Sequence, residues 1–104
     1  MIRHIVLLRP KPDAAAAEIR AVLDGLARLG DRLPGMLAFA GGADISPEGL
    51  QQGFGFGYGF TIDFADAAAR DAYLVDPEHK VLGARLVATA EGGRQGILVV
   101  DIEA

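Results

Sequence analysis

Between residues 53 and 64 the chain reads GFGFGYGFTIDF, with glycine alternating with an aromatic residue through four successive pairs. Successive side chains of a β-strand point to opposite faces. A strand here puts Phe54, Phe56, Tyr58, Phe60, Ile62 and Phe64 on one face. The other face carries almost nothing until Thr61 and Asp63. Period two scatters around a helix, so a helix cannot make this division. Glycine weakens a strand, and four in alternation point to close approach by another backbone or a ligand. The stretch predicts an aromatic wall and a bare face. At Gly55, Gly57 and Gly59 the sheet would curl or a second subunit would come close.

The rest of the chain supplies partners for that strand. Residues 2–9 read as a first strand with Ile2, His4, Val6 and Leu8 on one face and Arg3, Ile5, Leu7 and Arg9 on the other. Pro10 and Pro12 end it. Asp13 is placed to cap a helix running to about Leu29, with Ile19, Val22, Leu23, Leu26 and Leu29 on one stripe. Gly30 would supply its left-handed end. After a Leu33-Pro34-Gly35 turn, Met36 opens a second strand to about Ile45, with a bulge expected at Gly41 and Gly42. Too few residues separate it from the third strand for a crossover helix, so the two form a hairpin. Asp66 caps a second helix that ends near Leu74. Asp76-Pro77 restarts a third that runs to about Ala90. Residues 95–102 form a last strand, apolar in both phases.

The order β-α-β-β-α-β is the ferredoxin-like α+β arrangement: a four-stranded antiparallel sheet with helices on one face. The whole chain, residues 1–104, is one domain. We expect the first and last strands to form the central pair, apolar also on the uncovered face. An exposed patch containing Ile5, Leu7 and part of the last strand should associate. A second copy packed face to face with two-fold symmetry is the simplest cover, which predicts a homodimer closing a β-barrel.

Composition limits the chemistry. A net charge of −4 with no basic run argues against nucleic acid as partner. Absence of cysteine removes disulfides and thiolate catalysis. No apolar run reaches the roughly 18 residues of a membrane span, and the start MIRHIVLLRPKP has no cleavage-like site after it. The expected setting is cytoplasmic, away from any membrane. No phosphate loop, GxSxG, HExxH or EF-hand pattern occurs, two distant histidines make a poor zinc site, and no cofactor is expected.

Few side chains remain that can react. His4 shares a strand face with Val6 and Leu8. Tyr58 stands on the aromatic wall. Tyr73 closes the second helix and His79 lies in the first turn of the third. If the wall meets the helices, all four point into the space between sheet and helices, an acid–base set around an apolar pocket. The positive helix N-terminus disfavours an imidazolium at His79, which favours a neutral base, while Glu78 pulls the other way. Each also has a plain structural reading: His4 as a hydrogen-bonded core residue, the two tyrosines as packing. Asp76 is read as a cap. Phe56, Tyr58 and Phe60 would be the floor of the pocket; packed solid against the helices, they would leave no pocket.

MIRHIVLLRPK, the Pro-Gly-Met turn, GADIS and AYLVDPEH in this order resemble the stress-responsive A/B barrel (Dabb) family over nearly the whole chain. The resemblance implies a dimeric α+β barrel. Most bacterial members are uncharacterised, and one plant branch is a polyketide cyclase that carries out an aldol condensation without a cofactor. Its catalytic tyrosine and histidine match Tyr73 and His79, and its early histidine matches His4. Its strand-three histidine is replaced by Tyr58 and the first histidine of its Y-x-x-H-P-x-H segment by Asp76, so the plant substrate does not carry over. The resemblance leaves two functions open. One is acid–base chemistry on a carbonyl or polyketide-like compound by Tyr73 and His79, with His4, Phe56, Tyr58 and Phe60 binding the substrate. The other is a non-catalytic stress-associated binding or structural module.

Overall fold

A computed structural model describes all of residues 1–104. The elements run β1 (Ile2–Leu8), α1 (Ala16–Arg28), β2 (Met36–Ala43), β3 (Tyr58–Phe64), α2 (Ala67–Val75), α3 (Pro77–Thr89) and β4 (Ile97–Glu103), with short 3-10 turns at Leu29–Asp31 and Gly93–Gly96. The expected β-α-β-β-α-β order is present, the second helical segment being split in two at Asp76. No helix is long and apolar enough to cross a membrane.

The sheet order is β2-β3-β1-β4, every neighbouring pair antiparallel. The central strands are therefore β1 and β3, not the first and last as the sequence reading had it; β4 is an edge. Its side chains lie open: Leu98, Val99, Val100 and Ile102 are all exposed. In the register, His4 lies between Ile62 and Asp101, and Val6 between Phe60 and Val99. One face of the sheet thus presents His4, Val6 and Leu8 with Phe60, Ile62 and Phe64, all buried.

α1 covers that face with Ile19, Val22, Leu23 and Leu26, each at most 2% exposed. Burying an aliphatic side chain of this size contributes roughly 1.5–3 kcal/mol, so this stripe fixes where α1 sits. α3 packs instead on α1 and α2 and makes few close approaches to the strands. Gly25 permits this: a Cβ there would stand 2.8 Å from Leu82 Cδ2. Held against α1, α3 leaves a gap over the β1–β4 side of the sheet.

Several local expectations are corrected. Asp13 does not cap α1; the N-cap is Ala15, without a side-chain bond. Gly30 sits in the 3-10 turn after α1 and is not among the residues with positive φ. The irregularity in β2 falls between Met36 and Ala38. Gly41 stays in register, its bare Cα allowing Phe60 to approach, since a Cβ would lie 2.7 Å from Phe60 Cβ.

The largest correction concerns the alternating stretch itself. Only its second half is strand. Gln52, Gly53 and Gly55 take φ of 56°, 85° and 74°, a left-handed backbone that breaks a strand. Gln51 clasps this loop, donating to the Phe56 carbonyl at 2.7 Å and accepting from the Phe56 amide at 2.6 Å. The bare side of the glycines is filled by the chain's own β1 end: a Cβ at Gly57 would meet Pro10 at 3.4 Å, and one at Gly59 would meet Leu7 at 3.0 Å.

Candidate functional site

Two side-chain caps set the geometry on the helix side. Asp66 Oδ1 accepts from the Ala69 amide at 2.8 Å and starts α2. Asp76 Oδ2 accepts from the His79 amide at 3.0 Å and starts α3. Arg32 grips Asp76 with both terminal nitrogens, at 2.8 and 2.9 Å, and donates to Glu78 at 2.8 Å. The carboxylate of Asp76 is held far below its ordinary pKa, first by Arg32 and then by the His79 amide. This clasp fixes the corner between α2 and α3, and the corner brings Tyr73 and His79 together, their ring centroids 4.0 Å apart.

Below them lies His4, 5% exposed, its ring 5.8 Å from that of Tyr73 and 6.4 Å from that of Phe60. His4 Nδ1 is 2.6 Å from Asp101 Oδ1, and Arg70 donates to Asp101 Oδ2 at 3.0 Å. Burial alone would raise the pKa of Asp101, but the hydrogen bonds from His4 and Arg70 outweigh it and bring the value down. An ionised carboxylate only accepts. Nδ1 of His4 is therefore the donor.

A cavity of about 600 Å³ fills the gap under α3, lined among others by His4, Phe60, Tyr73, His79, Leu86 and Val99. Among its lining residues Leu74, Lys80, Arg94 and Val99 are exposed and mark its mouth. Four expected site residues, His4, Phe60, Tyr73 and His79, thus meet around one space. Phe56 and Tyr58 do not line it. Phe56 lies in the loop before β3. Tyr58 pairs with Leu8 in register, four residues along the strand from the Ile62 that faces His4, roughly 13 Å away at strand spacing. Both line a second hollow of about 640 Å³ on the open face of the sheet, with Ile5, Leu7 and Thr61 and no histidine.

His79 is half-buried and its pKa is lowered, first by burial, against an opposing pull from the Leu74 backbone. The direction matches the expectation from the helix N-terminus; the main cause is desolvation. Glu78, expected to oppose the shift, is taken up by Arg32. Nδ1 of His79 is buried without a hydrogen-bond partner. Burial also raises the pKa of the Tyr73 hydroxyl, with no hydrogen bond or charge contributing. No cluster of three or more His, Cys, Asp or Glu side chains that could hold a metal occurs.

Sequence reasoning missed Asp101, Arg70, Lys80 and Arg94. Asp101 had a signal: it is the single carboxylate within the apolar run ILVVDI. Pairing the first and last strands in antiparallel register would have set it opposite His4.

The sheet, the helices confined to one of its faces, and the polar cluster beneath them define a ferredoxin-like α+β protein with its reactive side chains on the helix side. The chain belongs to the stress responsive A/B barrel domain family, whose model matches residues 2–104. A dimeric ferredoxin-like protein of unknown function from Jannaschia sp. CCS1 is 39% identical, with a TM-score of 0.90 over 99% of this chain and 98% of its own. The stress-response A/B barrel domain-containing protein HS1 of Arabidopsis thaliana is 27% identical over 100 residues, 96% of this chain and 86% of its own. The crystal structure of At3g17210, also from Arabidopsis thaliana, is 25% identical, with a TM-score of 0.83 over 100% of this chain and 95% of its own.

Proposed function

We propose that this protein is a homodimer, joined through the open sheet face, that binds a small apolar carbonyl compound in the helix-side cavity and acts on it without a cofactor. In this reading neutral His79 takes a proton from the carbon alpha to the carbonyl. The electron pair of the broken C–H bond moves onto the carbonyl oxygen, and the Tyr73 hydroxyl donates to the enolate oxygen that results. If the enolate carbon then attacks a second carbonyl of the same molecule, imidazolium His79 returns its proton to the new alkoxide and the balance closes. His4, oriented by Asp101, and Phe60 hold the substrate beneath the pair. The observation that carries the proposal is the meeting of Tyr73 and His79, 4.0 Å apart, at the wall of a cavity of about 600 Å³.

A second reading keeps the cavity and drops the chemistry. The Tyr73 and His79 rings pack tilted at 39°, and no hydrogen bond contributes to the raised pKa of Tyr73. That contact serves a stress-associated binding module equally well. A thermal-shift screen of aromatic carbonyl and polyketide compounds against wild type and His79→Ala, followed by product analysis of the hits, separates the two. The catalytic reading expects a compound consumed by wild type and not by His79→Ala. Compounds that stabilise both proteins equally and are consumed by neither leave the binding module and remove His79 from any reaction.

A further inference from the structure

We infer that the ligand of the helix-side cavity is amphipathic, with an apolar body and an anionic head, the head held at the mouth by Lys80 and Arg94. The inference rests on the reading of this cavity as a ligand site and names the class of ligand it takes. The chain holds fourteen Asp and Glu residues and a net charge of −4, yet no carboxylate residue lines the cavity and two cations do. The inner wall is apolar, with Val6, Leu26, Phe60, Leu86 and Ile97 among its residues. Apart from His4, Tyr73 and His79 the inside is hydrocarbon, and the only side chains in the lining with a fixed positive charge are the two exposed ones.

Lys80 and Arg94, like Lys11, Arg20 and Arg28, are uncommitted within the fold, and of these five they are the two that line the cavity. Arg3, Arg32, Arg70 and Arg85 are each committed to a carboxylate at 2.7–3.0 Å. Lys80 and Arg94 take part in none of the ion pairs or side-chain hydrogen bonds of the fold, and both are exposed. Lys80 follows His79 directly on α3, and its charge contributes to the lowered pKa of His79. Arg94 lines the same cavity from the 3-10 turn before β4. A guanidinium fork pairs with two oxygens of one carboxylate or phosphate, and an ammonium adds a point charge beside it. An anion seated there leaves its apolar body directed toward His79, Tyr73 and His4.

Gly83 provides the control. It lines the cavity from the middle of α3, and a Cβ added there meets nothing within 4 Å. Gly83→Phe therefore fills the space without a clash at its first carbon. The experiment is calorimetric titration of wild type, Lys80→Gln/Arg94→Gln and Gly83→Phe with 4-phenylbutyrate, 3-phenylpropyl phosphate and the neutral 4-phenylbutyramide. Wild type is expected to bind at least one of the two anions about tenfold tighter than the amide, and the tighter anion identifies the head. The double variant should bind acid and amide within about twofold of each other, with its amide affinity unchanged. Gly83→Phe should lose all three. Equal binding of anions and amide by wild type, abolished in Gly83→Phe, overturns the anionic head and leaves the cavity reading standing. No binding of any probe to wild type, or binding that survives Gly83→Phe, overturns the cavity reading and the head with it.

Discussion

His4 on β1 and Asp101 on β4 face each other across the strand pair and share a 2.6 Å hydrogen bond. The bond fixes the ring: Nδ1–H toward the carboxylate, Nε2 free. Nitrogen-detected NMR at pH 7 should find His4 in this Nδ1–H tautomer. Asp101→Asn should erode the preference, since the amide is no longer an obligate acceptor. Arg70→Gln should leave the tautomer in place, because Arg70 holds the other carboxylate oxygen at 3.0 Å. A His4 tautomer unmoved by Asp101→Asn would show that the carboxylate does not orient the ring.

The pKa of His79 is depressed in the fold. The unfolded chain therefore binds a proton on His79 at a pH where the native state does not, below about 6.5. By linkage, stability falls as pH drops from about 6.5 through the lower native value, and it is flat in this respect above. Chemical denaturation between pH 5 and 8 should show this slope in wild type and a reduced slope in His79→Gln. The same shift keeps His79 neutral at pH 7, as a base requires.

Asp76 serves two partners, the cap of α3 and Arg32. Its native pKa lies far below the unfolded value of about 3.9. Its contribution is whole above that pH and disappears as pH falls toward the native value. Asp76→Asn keeps a capping oxygen and gives up the ion pair; Asp76→Ala gives up both. Melting temperature at pH 7 should fall in the order wild type, Asn, Ala, and the gap between wild type and Asn should close in acid. A gap that persists unchanged at pH 2 would show that the ion pair is not its source.

The open sheet face carries Ile5, Leu7, Leu98, Val100 and Ile102, of which the last three are 44%, 43% and 44% exposed. Light scattering at micromolar concentration should give about twice the chain mass of 10.9 kDa. Val100→Glu, midway along β4 on this face, should shift the population to monomer. A monomeric wild type would contradict the proposed assembly.

Gly83 sits within α3 with free space where a side chain would begin. Gly83→Ala should raise stability by about 0.5–1 kcal/mol through helix propensity alone, or about 2–8 °C for a domain of this size. A loss of stability would mean that the backbone at Gly83 is not free to carry a Cβ.

The sequence showed the element order well because each helix start has a local cause: Asp66 and Asp76-Pro77 act within three residues of themselves. Tyr73 and His79 were legible for the same reason, since one corner places both. The reading went wrong where neighbours distant in sequence decide the outcome. Alternation made residues 53–57 look like strand, but alternation says nothing of the positive φ that Gln51 stabilises by clasping Phe56. Asp101 was passed over because its partner lies 97 residues away. Whether the expected pocket is open or filled was out of reach too: that depends on α3 resting on α1 at Gly25, a contact that periodicity does not reveal.

The most direct test of the account is a crystal structure of the protein with the strongest thermal-shift hit. The account predicts the compound under α3, its carbonyl oxygen within hydrogen-bond distance of the Tyr73 hydroxyl and its adjacent carbon facing His79. A compound seated in the open-face hollow beside Ile5, Leu7 and Tyr58, with the cavity at His79 left empty, would contradict it.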